Sequence, residues 1–419
     1  MKIKTAYSSL TLACIAAMGL SVATPASAAD GVIIGSVKDA AQTRSYTGAQ
    51  IKLKELGLVT EAGTDGTFRF PSIPEGTYTL EISYLGEETV TQAIKVTDNG
   101  IARAAVEFGS GDTIDEILVR GQRSGQASAI NQQRTSDRIS SIVSADAIGQ
   151  FPDQNAAESL QRLPGLSIER DQGEGRFVGI RGIDPNLNNV TINGLNIPSP
   201  ESGVRSVALD VIPSELIQTL EVSKSVTPDM DGDAIGGSVA VKSVSAFDKA
   251  RDTASVTVQA SQNDLRDETS PKLSGTFTKK LSPEWGVAGA ISYFDRDFGS
   301  DNVESNGDDE LEQRHYTITR ERLGSALNID FRPDFNNQYF LRTLYSEFSD
   351  DEYRQGNIFT FDGEDSEIER ESKDRFESQS IFTVALGGKH QLDTWKANWQ
   401  LGYAKSDEDE PDALYYVFK

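Results

Sequence analysis

Along residues 30–108, apolar and polar side chains alternate in short runs broken by turn signals, the pattern of strands with one buried face. It predicts strands over Val32–Val37, Gln50–Leu53, Thr67–Phe70, Tyr78–Ser83, Thr89–Val96 and Ala102–Phe108. Thr64-Asp65-Gly66 and Pro74-Glu75-Gly76 supply turns whose glycine accepts positive φ. No stretch there has helical periodicity, so the segment reads as a small β-sandwich. Residues 110–135, rich in Gly, Gln and Ser, read as a linker.

From about residue 136 the pattern is mixed α/β. A strand at Ile139–Val143 precedes a helix opened by Asn155-Ala156-Ala157-Glu158, which has capping-box form. Leu160 and Leu163 give that helix its apolar face, and Pro164-Gly165 stop it. Strands follow at Leu166–Glu169 and Phe177–Ile180. Val190 to Ile197 reads as a hairpin because Asn193-Gly194 suits the two positive-φ positions of a type I′ turn. A short helix at Ser214–Thr219, a strand at Leu220–Val222 and a closing strand at Ser238–Val244 complete the unit, which ends near Lys249.

After residue 250 a period of two carries aromatics. Trp395, Ala397, Trp399, Leu401 and Tyr403 alternate with Lys396, Asn398, Gln400, Gly402 and Ala404, which suits a strand with one face in lipid. Val287–Phe294, Tyr339–Tyr345 and Phe382–Leu386 resemble it. Asp295–Glu312 and Asp362–Asp374 read as long acidic loops; Arg332-Pro333-Asp334 and Gln391-Leu392-Asp393 read as short turns. That alternation of long and short connections is the asymmetry of outer-membrane barrels. The fold class is therefore mainly β: a sandwich, a mixed α/β domain, then the first strands of an antiparallel transmembrane barrel.

The first 28 residues carry Lys2 and Lys4, an apolar core from Leu10 to Leu20 and Ala26-Ser27-Ala28, the form of a secretory signal peptide. Cys14, the one cysteine, falls inside it, so the mature chain draws no stability from disulfides. Without the signal the chain has 38 basic and 64 acidic residues, a balance that repels nucleic acid. No window is apolar for long enough to form a transmembrane helix.

Candidate chemistry is sparse. Asp229-Met230-Asp231-Gly232-Asp233 lacks the glycine and glutamate positions of an EF-hand loop. Gly173 to Gly179 has the wrong spacing for a phosphate loop. His315 and His390 have no neighbouring ligand set, and no nucleophile has a base. The chain reads as a non-enzyme without a cofactor or metal.

One stretch fits none of this. DEILVRGQR, residues 115–123, places three apolar strand formers between charges inside the glycine-rich linker. The surrounding motifs give it a context. FPDQNAAESLQRLPGLSIERDQGEG (151–175), VGIRGIDPNLNNVTINGLNIP (178–198), VIPSELIQTLEVSKS (211–225) and DAIGGSVAVKS (233–243) resemble, in family order, the plug domain of TonB-dependent outer-membrane receptors. GTDGTFRFPSIPEGTYTLEISYLG (63–86) is similar to the carboxypeptidase regulatory-like module.

The resemblance implies the following organisation: signal peptide 1–28, regulatory-like sandwich 29–109, linker with TonB box 110–135, plug 136–249, and an incomplete barrel from 250 to 419. It implies that Asp115, Glu116, Ile117, Leu118 and Val119 bind TonB, coupled to the inner-membrane energising complex. Arg120 stands where the family usually has a small or hydroxyl residue. Arg181 is expected to join plug to barrel by pairing with wall carboxylates. Asp184, Asn186, Asn193 and Asn196 are expected on loops facing a small extracellular solute. Receptors of this kind close about 22 strands around the plug. Residues 250–419 hold roughly seven or eight, so a C-terminally truncated chain is expected. The implied function is energised uptake across the outer membrane, with an oligosaccharide favoured over a ferric siderophore. The alternatives are a surface signalling receptor, or a periplasmic interaction protein built on the sandwich. The wording of 151–175 carries the oligosaccharide preference.

Overall fold

The computed structural model describes residues 30–40, 44–109, 121–148, 153–228, 230–249, 251–305, 307, 309–362, 365–392 and 395–418. Of the regions read above, the signal peptide, residues 110–120 with Arg120, Phe151, Pro152 and Asp229 lie outside these.

The sandwich has seven strands: β1 (Gly31–Asp39), β2 (Gln50–Leu53), β3 (Leu58–Glu61), β4 (Thr67–Ile73), β5 (Gly76–Ser83), β6 (Val90–Val96) and β7 (Ile101–Phe108). They form sheets ordered β4-β1-β7 and β3-β2-β5-β6. Alternate residues such as Phe68 and Phe70, or Tyr78, Leu80 and Ile82, enter the shared core. Strand β3 was not anticipated: Leu58 and Val59 are exposed at a sheet edge, so no buried face imposes a pattern. Gly66, at φ +79, turns the chain where a Cβ would lie 2.6 Å from the Val37 carbonyl oxygen.

The linker reading holds no regular structure, yet residues Gly121–Thr135 form helix α1. Tertiary packing overrides a weak local preference here. Ala129 is buried, Ala127 packs on the sandwich core, and Asn131 Nδ2 donates to the Ala127 carbonyl at 2.8 Å.

The plug follows: β8 (Ser140–Ser144), α2 (Ala145–Ile148), α3 (Ala156–Leu160), β9 (Leu166–Asp171), β10 (Glu174–Ile180), β11 (Asn188–Ile192), β12 (Leu195–Asn196), β13 (Thr219–Ser223) and β14 (Gly237–Lys242). Its main sheet is ordered β12-β11-β14-β13-β8, and β9-β10 is a separate hairpin. Asn193 and Gly194 take φ of 51 and 84, as the hairpin reading requires. Asn155 caps α3, accepting from Glu158 N at 2.9 Å. The Glu158 carboxylate does not complete a capping box; it accepts from Gly175 N at 2.7 Å and so ties α3 to β10. The helix expected over Ser214–Thr219 is only a 3-10 turn, Ser214–Leu216, because β13 claims the chain from Thr219 and leaves too few residues to nucleate an α-helix.

The wall is a seven-stranded antiparallel meander: β15 (Thr253–Gln262), β16 (Thr269–Lys280), β17 (Trp285–Ser305), β18 (Glu310–Phe331), β19 (Asn337–Asp362), β20 (Asp365–Leu392) and β21 (Trp395–Phe418). The stretches read as long acidic loops are strand. Pairing of β17 with β18 runs up to Ser305 and Leu311, and that of β19 with β20 up to Asp362 and Asp365. Beyond the membrane band neither face needs to be apolar, so a ladder continues there without hydrophobic alternation.

Parity divides the wall. Ala288, Ala290, Gly324, Ala326, Leu344 and Phe348 face the plug, and a Cβ on Gly324 would lie 2.8 Å from both Leu216 Cδ1 and Pro213 Cγ. The opposite face carries Trp285, Val287, Ile291 and Tyr293 on β17, and Trp399, Leu401 and Tyr403 on β21. At the end with the short turns, Trp285, Phe331, Tyr339, Gly388 and Trp399 are paired in one continuous row across five strands. Trp285 stacks on Phe331 at 4.3 Å and Phe331 on Tyr339 at 6.1 Å; Trp399 Nε1 donates to His390 Nε2 at 2.9 Å. At the other end charges begin, with Asp295, Glu321, Glu347 and Lys405. The eight steps from Trp285 to Tyr293 extend about 27 Å along a strand, or roughly 20 Å across the bilayer after tilting. This is an apolar band with an aromatic girdle, the physical form of a membrane-spanning sheet. Among the described residues no helix is long and apolar enough to cross a membrane.

Trp285, Trp395 and Trp399 are all the tryptophans of the chain, and all lie at the turn end. In reconstituted protein, lipids brominated near the glycerol backbone are expected to quench tryptophan emission more than lipids brominated at the bilayer centre. The reverse order would reject this placement.

Candidate functional site

The hairpin β9–β10 carries Asp171, Gln172 and Glu174 at its tip, inserted against the inner face of β17 to β20. Glu174 is 4% exposed and faces three guanidiniums from the wall. Its Oε1 pairs with Arg296; its Oε2 pairs with Arg322 and, at 2.9 Å, with Arg320. Arg320, fully buried, also reaches Asp350 at 2.7 Å and Asp171 at 3.4 Å. The Arg322 Nε donates to the Asp210 carbonyl oxygen at 3.0 Å. Two buried rings flank these cations: Arg296 lies 4.1 Å and Arg320 5.3 Å from the Phe298 centroid, and Arg322 lies 5.0 Å from that of Phe348.

A second arm has the opposite polarity. Arg176 of the plug donates to Glu201 at 3.0 Å and lies 3.5 Å from Asp210 and 3.8 Å from Glu377 of the wall. Gln172 Nε2 donates to Glu352 at 2.8 Å. Lower in the lumen, Glu215 pairs with Lys272 and accepts from Ser292 Oγ at 3.1 Å. Burial alone would push the Glu174 carboxyl up, but Arg322, Arg320 and Arg296 overcome it and hold the carboxyl well below the ordinary range. Asp210 goes the other way. Burial pushes its carboxyl up, the nearby arginines do not offset that, and neither oxygen accepts a hydrogen bond among the described residues.

This arrangement fastens one domain inside another by charge and hydrogen bonds. It holds no nucleophile–base pair, and among the described residues no group of three or more His, Cys, Asp and Glu could hold a metal.

The anticipated residues are placed differently. Arg181 is exposed, at φ +57, and its guanidinium donates to the Gly236 carbonyl at 3.3 Å within the plug, not to a wall carboxylate. The arginine expected to fasten the plug is replaced by a plug glutamate facing wall arginines, because the tip nearest the wall is the β9–β10 turn. Asn193 is a turn residue at the low end of the wall, where its carbonyl accepts from Gln400 at 3.0 Å and its Oδ1 from Ser243 N at 3.0 Å. Asp184 caps Pro185–Leu187 through Asn186 N at 2.8 Å, and Asn186 Oδ1 accepts from Arg205 N at 2.9 Å. Asn196 pairs with Asp231 and Asn189. These side chains are spent on plug turns. The fastening residues were missed, though parity offered a signal: Arg320 and Arg322 share the strand face of Gly324 and Ala326, which is opposite to the apolar one.

A family model described as TonB-dependent Receptor Plug Domain matches residues 131–238. Residues 131–238 are thereby matched to a TonB-dependent receptor plug domain. A CarboxypepD_reg-like domain matches residues 33–119, which include most of the sandwich. Comparison with curated proteins gave no match. Among solved structures, a ferric enterobactin receptor mutant from Pseudomonas aeruginosa is similar at 11% identity and a TM-score of 0.36, covering 67% of this chain and 59% of that one. The unliganded ferric citrate transporter is similar at 12% and 0.35, covering 69% and 60%. A siderophore receptor from Acinetobacter baumannii gives 14% and 0.38, covering 66% and 46%. The chain thus spans at most about 60% of the length of these solved proteins.

Glu174→Gln leaves three buried guanidiniums without their shared anion, and is expected to destabilise plug seating by about 3 kcal/mol. The measurement is protease release of the plug against urea in detergent. The pH dependence has a sign. Because Glu174 is depressed in the folded state, its stabilisation is complete above its ordinary unfolded value and is lost as pH falls through the lower folded one. Asp210 is raised, so its ionisation removes stability as pH climbs from the ordinary carboxylate value through the raised one. Asp210→Asn is expected to remove that alkaline-side loss.

Proposed function

We propose that this chain is the plug-bearing part of an outer-membrane transporter that takes up a scarce solute with energy delivered through TonB. The observation that carries the reading is a plug seated in its wall by a charge network that water or force can undo. The end with short turns, where the sandwich and α1 lie, faces the periplasm; the long hairpins face outward. Residues 115–119 then lie on the periplasmic side, between sandwich and plug. Ile117, Leu118 and Val119 add as an edge strand to a TonB sheet, so main-chain hydrogen bonds transmit the pull.

An oligosaccharide is favoured over a ferric siderophore. On β19 and β20 toward the outer side, three of the four cations are already paired, Arg354 with Glu371 at 3.2 Å, Lys373 with Glu352 at 3.2 Å, and Arg375 with Glu352 at 3.1 Å, and Arg370 is the fourth. The chain's acidic balance adds to this, so an anionic iron chelate meets repulsion and few free cations. A neutral, hydroxyl-rich solute meets neither obstacle.

Leu118→Pro removes a backbone donor and disfavours strand addition. It is expected to abolish uptake of radiolabelled oligosaccharides by cells while leaving surface binding intact. Unimpaired uptake would reject the assignment.

A further inference from the structure

The sandwich is joined to the rest of the chain by more than covalent continuity. Its Thr64–Gly66 turn meets the periplasmic end of the wall, where the Asp65 carboxylate pairs with Arg332 in the turn between β18 and β19. The Arg332 guanidinium also lies 4.3 Å over the ring of Phe247, just before the first wall strand. The Thr64 side chain lies beside the buried carboxyl of Asp248. On β7, Arg103 lies 5.7 Å from the ring of Phe335 in the same wall turn.

Helix α1 is shared between two domains. Toward the sandwich, Ala127 packs on its core and Asn131 Oδ1 accepts from Leu85 N at 3.4 Å. Toward the plug, Gln133 Nε2 donates to the Ile142 carbonyl at 3.2 Å, on the edge strand β8 of the plug sheet. Residues 110–120 connect β7 to α1, so both ends of that segment attach to elements docked across domain boundaries.

From this we infer that the sandwich and α1 form a clamp over the periplasmic face of the plug. A pull on residues 115–119 opens the clamp before it disturbs the plug itself. The docking stands on the contacts above; only the origin of the pull rests on the TonB reading. The order of events follows from what each joint is made of. The clamp is a few polar contacts and one helix face. The plug is held by an apolar core and the buried charge network around Glu174. The sandwich itself withstands the load, because β7 pairs with β1 over eight residues, Val32↔Ile101 to Asp39↔Phe108, and a pull along the strand shears all of them together. The weakest joint in the series is the one between domains.

The mature chain has no cysteine, so single thiols can be placed at will. The full chain, reconstituted in lipid, is pulled through a handle on Thr113→Cys in single-molecule force spectroscopy. A short rupture is expected before plug extension begins. Asp65→Arg sets two guanidiniums against each other and is expected to abolish that first rupture. The charge swap Asp65→Arg with Arg332→Asp is expected to restore it, which separates loss of docking from misfolding. A separate form with cysteines at Asp65 and Arg332 is expected to be bridged by a short bismaleimide in the intact chain. The inference is overturned if the first rupture is the same in the parent, the reversal and the swap, or if the cysteine pair is not bridged. Failure of a purified TonB C-terminal domain to bind residues 110–120 would overturn the transporter reading and leave the clamp standing, because the handle needs no TonB.

Discussion

A carboxylate stays ionised away from water only if cations surround it, and Glu174 meets that condition with groups from another domain. Arg296 and Arg322 depend on it in turn, while Arg320 also has Asp350 of the wall. The plug and the wall thus complete each other's electrostatics, and neither half of the cluster is stable alone in its buried position. That mutual need sets where the β9–β10 hairpin stops and which strands it touches. It also makes the joint conditional. Its attraction is strong while dry and weakens as water enters, so a local opening lowers the cost of the next step.

The wall answers to a different constraint. Its outer face must be apolar over a bilayer's thickness and its inner face must accept a polar domain. One strand satisfies both through alternation. Hence Arg320 and Arg322 sit beside Glu321 and Leu323 in sequence but point the opposite way. Beyond the band the outer face meets water, and the strands continue as charged ladders held by backbone pairing and cross-strand ion pairs such as Arg314 with Glu304. The same rule explains why the small residues cluster inward. Gly324 lets Pro213 and Leu216 approach the sheet, so the plug packs directly on the wall.

Much of the architecture was legible beforehand because it depends on local chemistry. The Asn193-Gly194 hairpin, the Asn155 cap and the alternating strands of the sandwich need only neighbouring residues to be specified. The aromatic strand at Trp395–Tyr403 announced a lipid face by period alone. Where one face was not buried, the signal failed. Strand β3 shows this, and so do the wall extensions taken for loops. Helix α1 failed for the related reason that its stability is borrowed from surfaces on two other domains.

What the sequence determined by itself was the strands with one buried face, the tight turns and the plug motifs, since these follow from side-chain periodicity, turn chemistry and ordered motifs. What only the tertiary structure decided was partnership. Arg181 was the expected fastener, yet it faces Gly236 within its own domain, while Glu174 and the wall arginines, 122 to 148 positions apart, share one buried charge cluster. Charge pairing acts through space at a few ångströms. A linear chain records which charges exist, and only the closed fold brings particular ones within that reach.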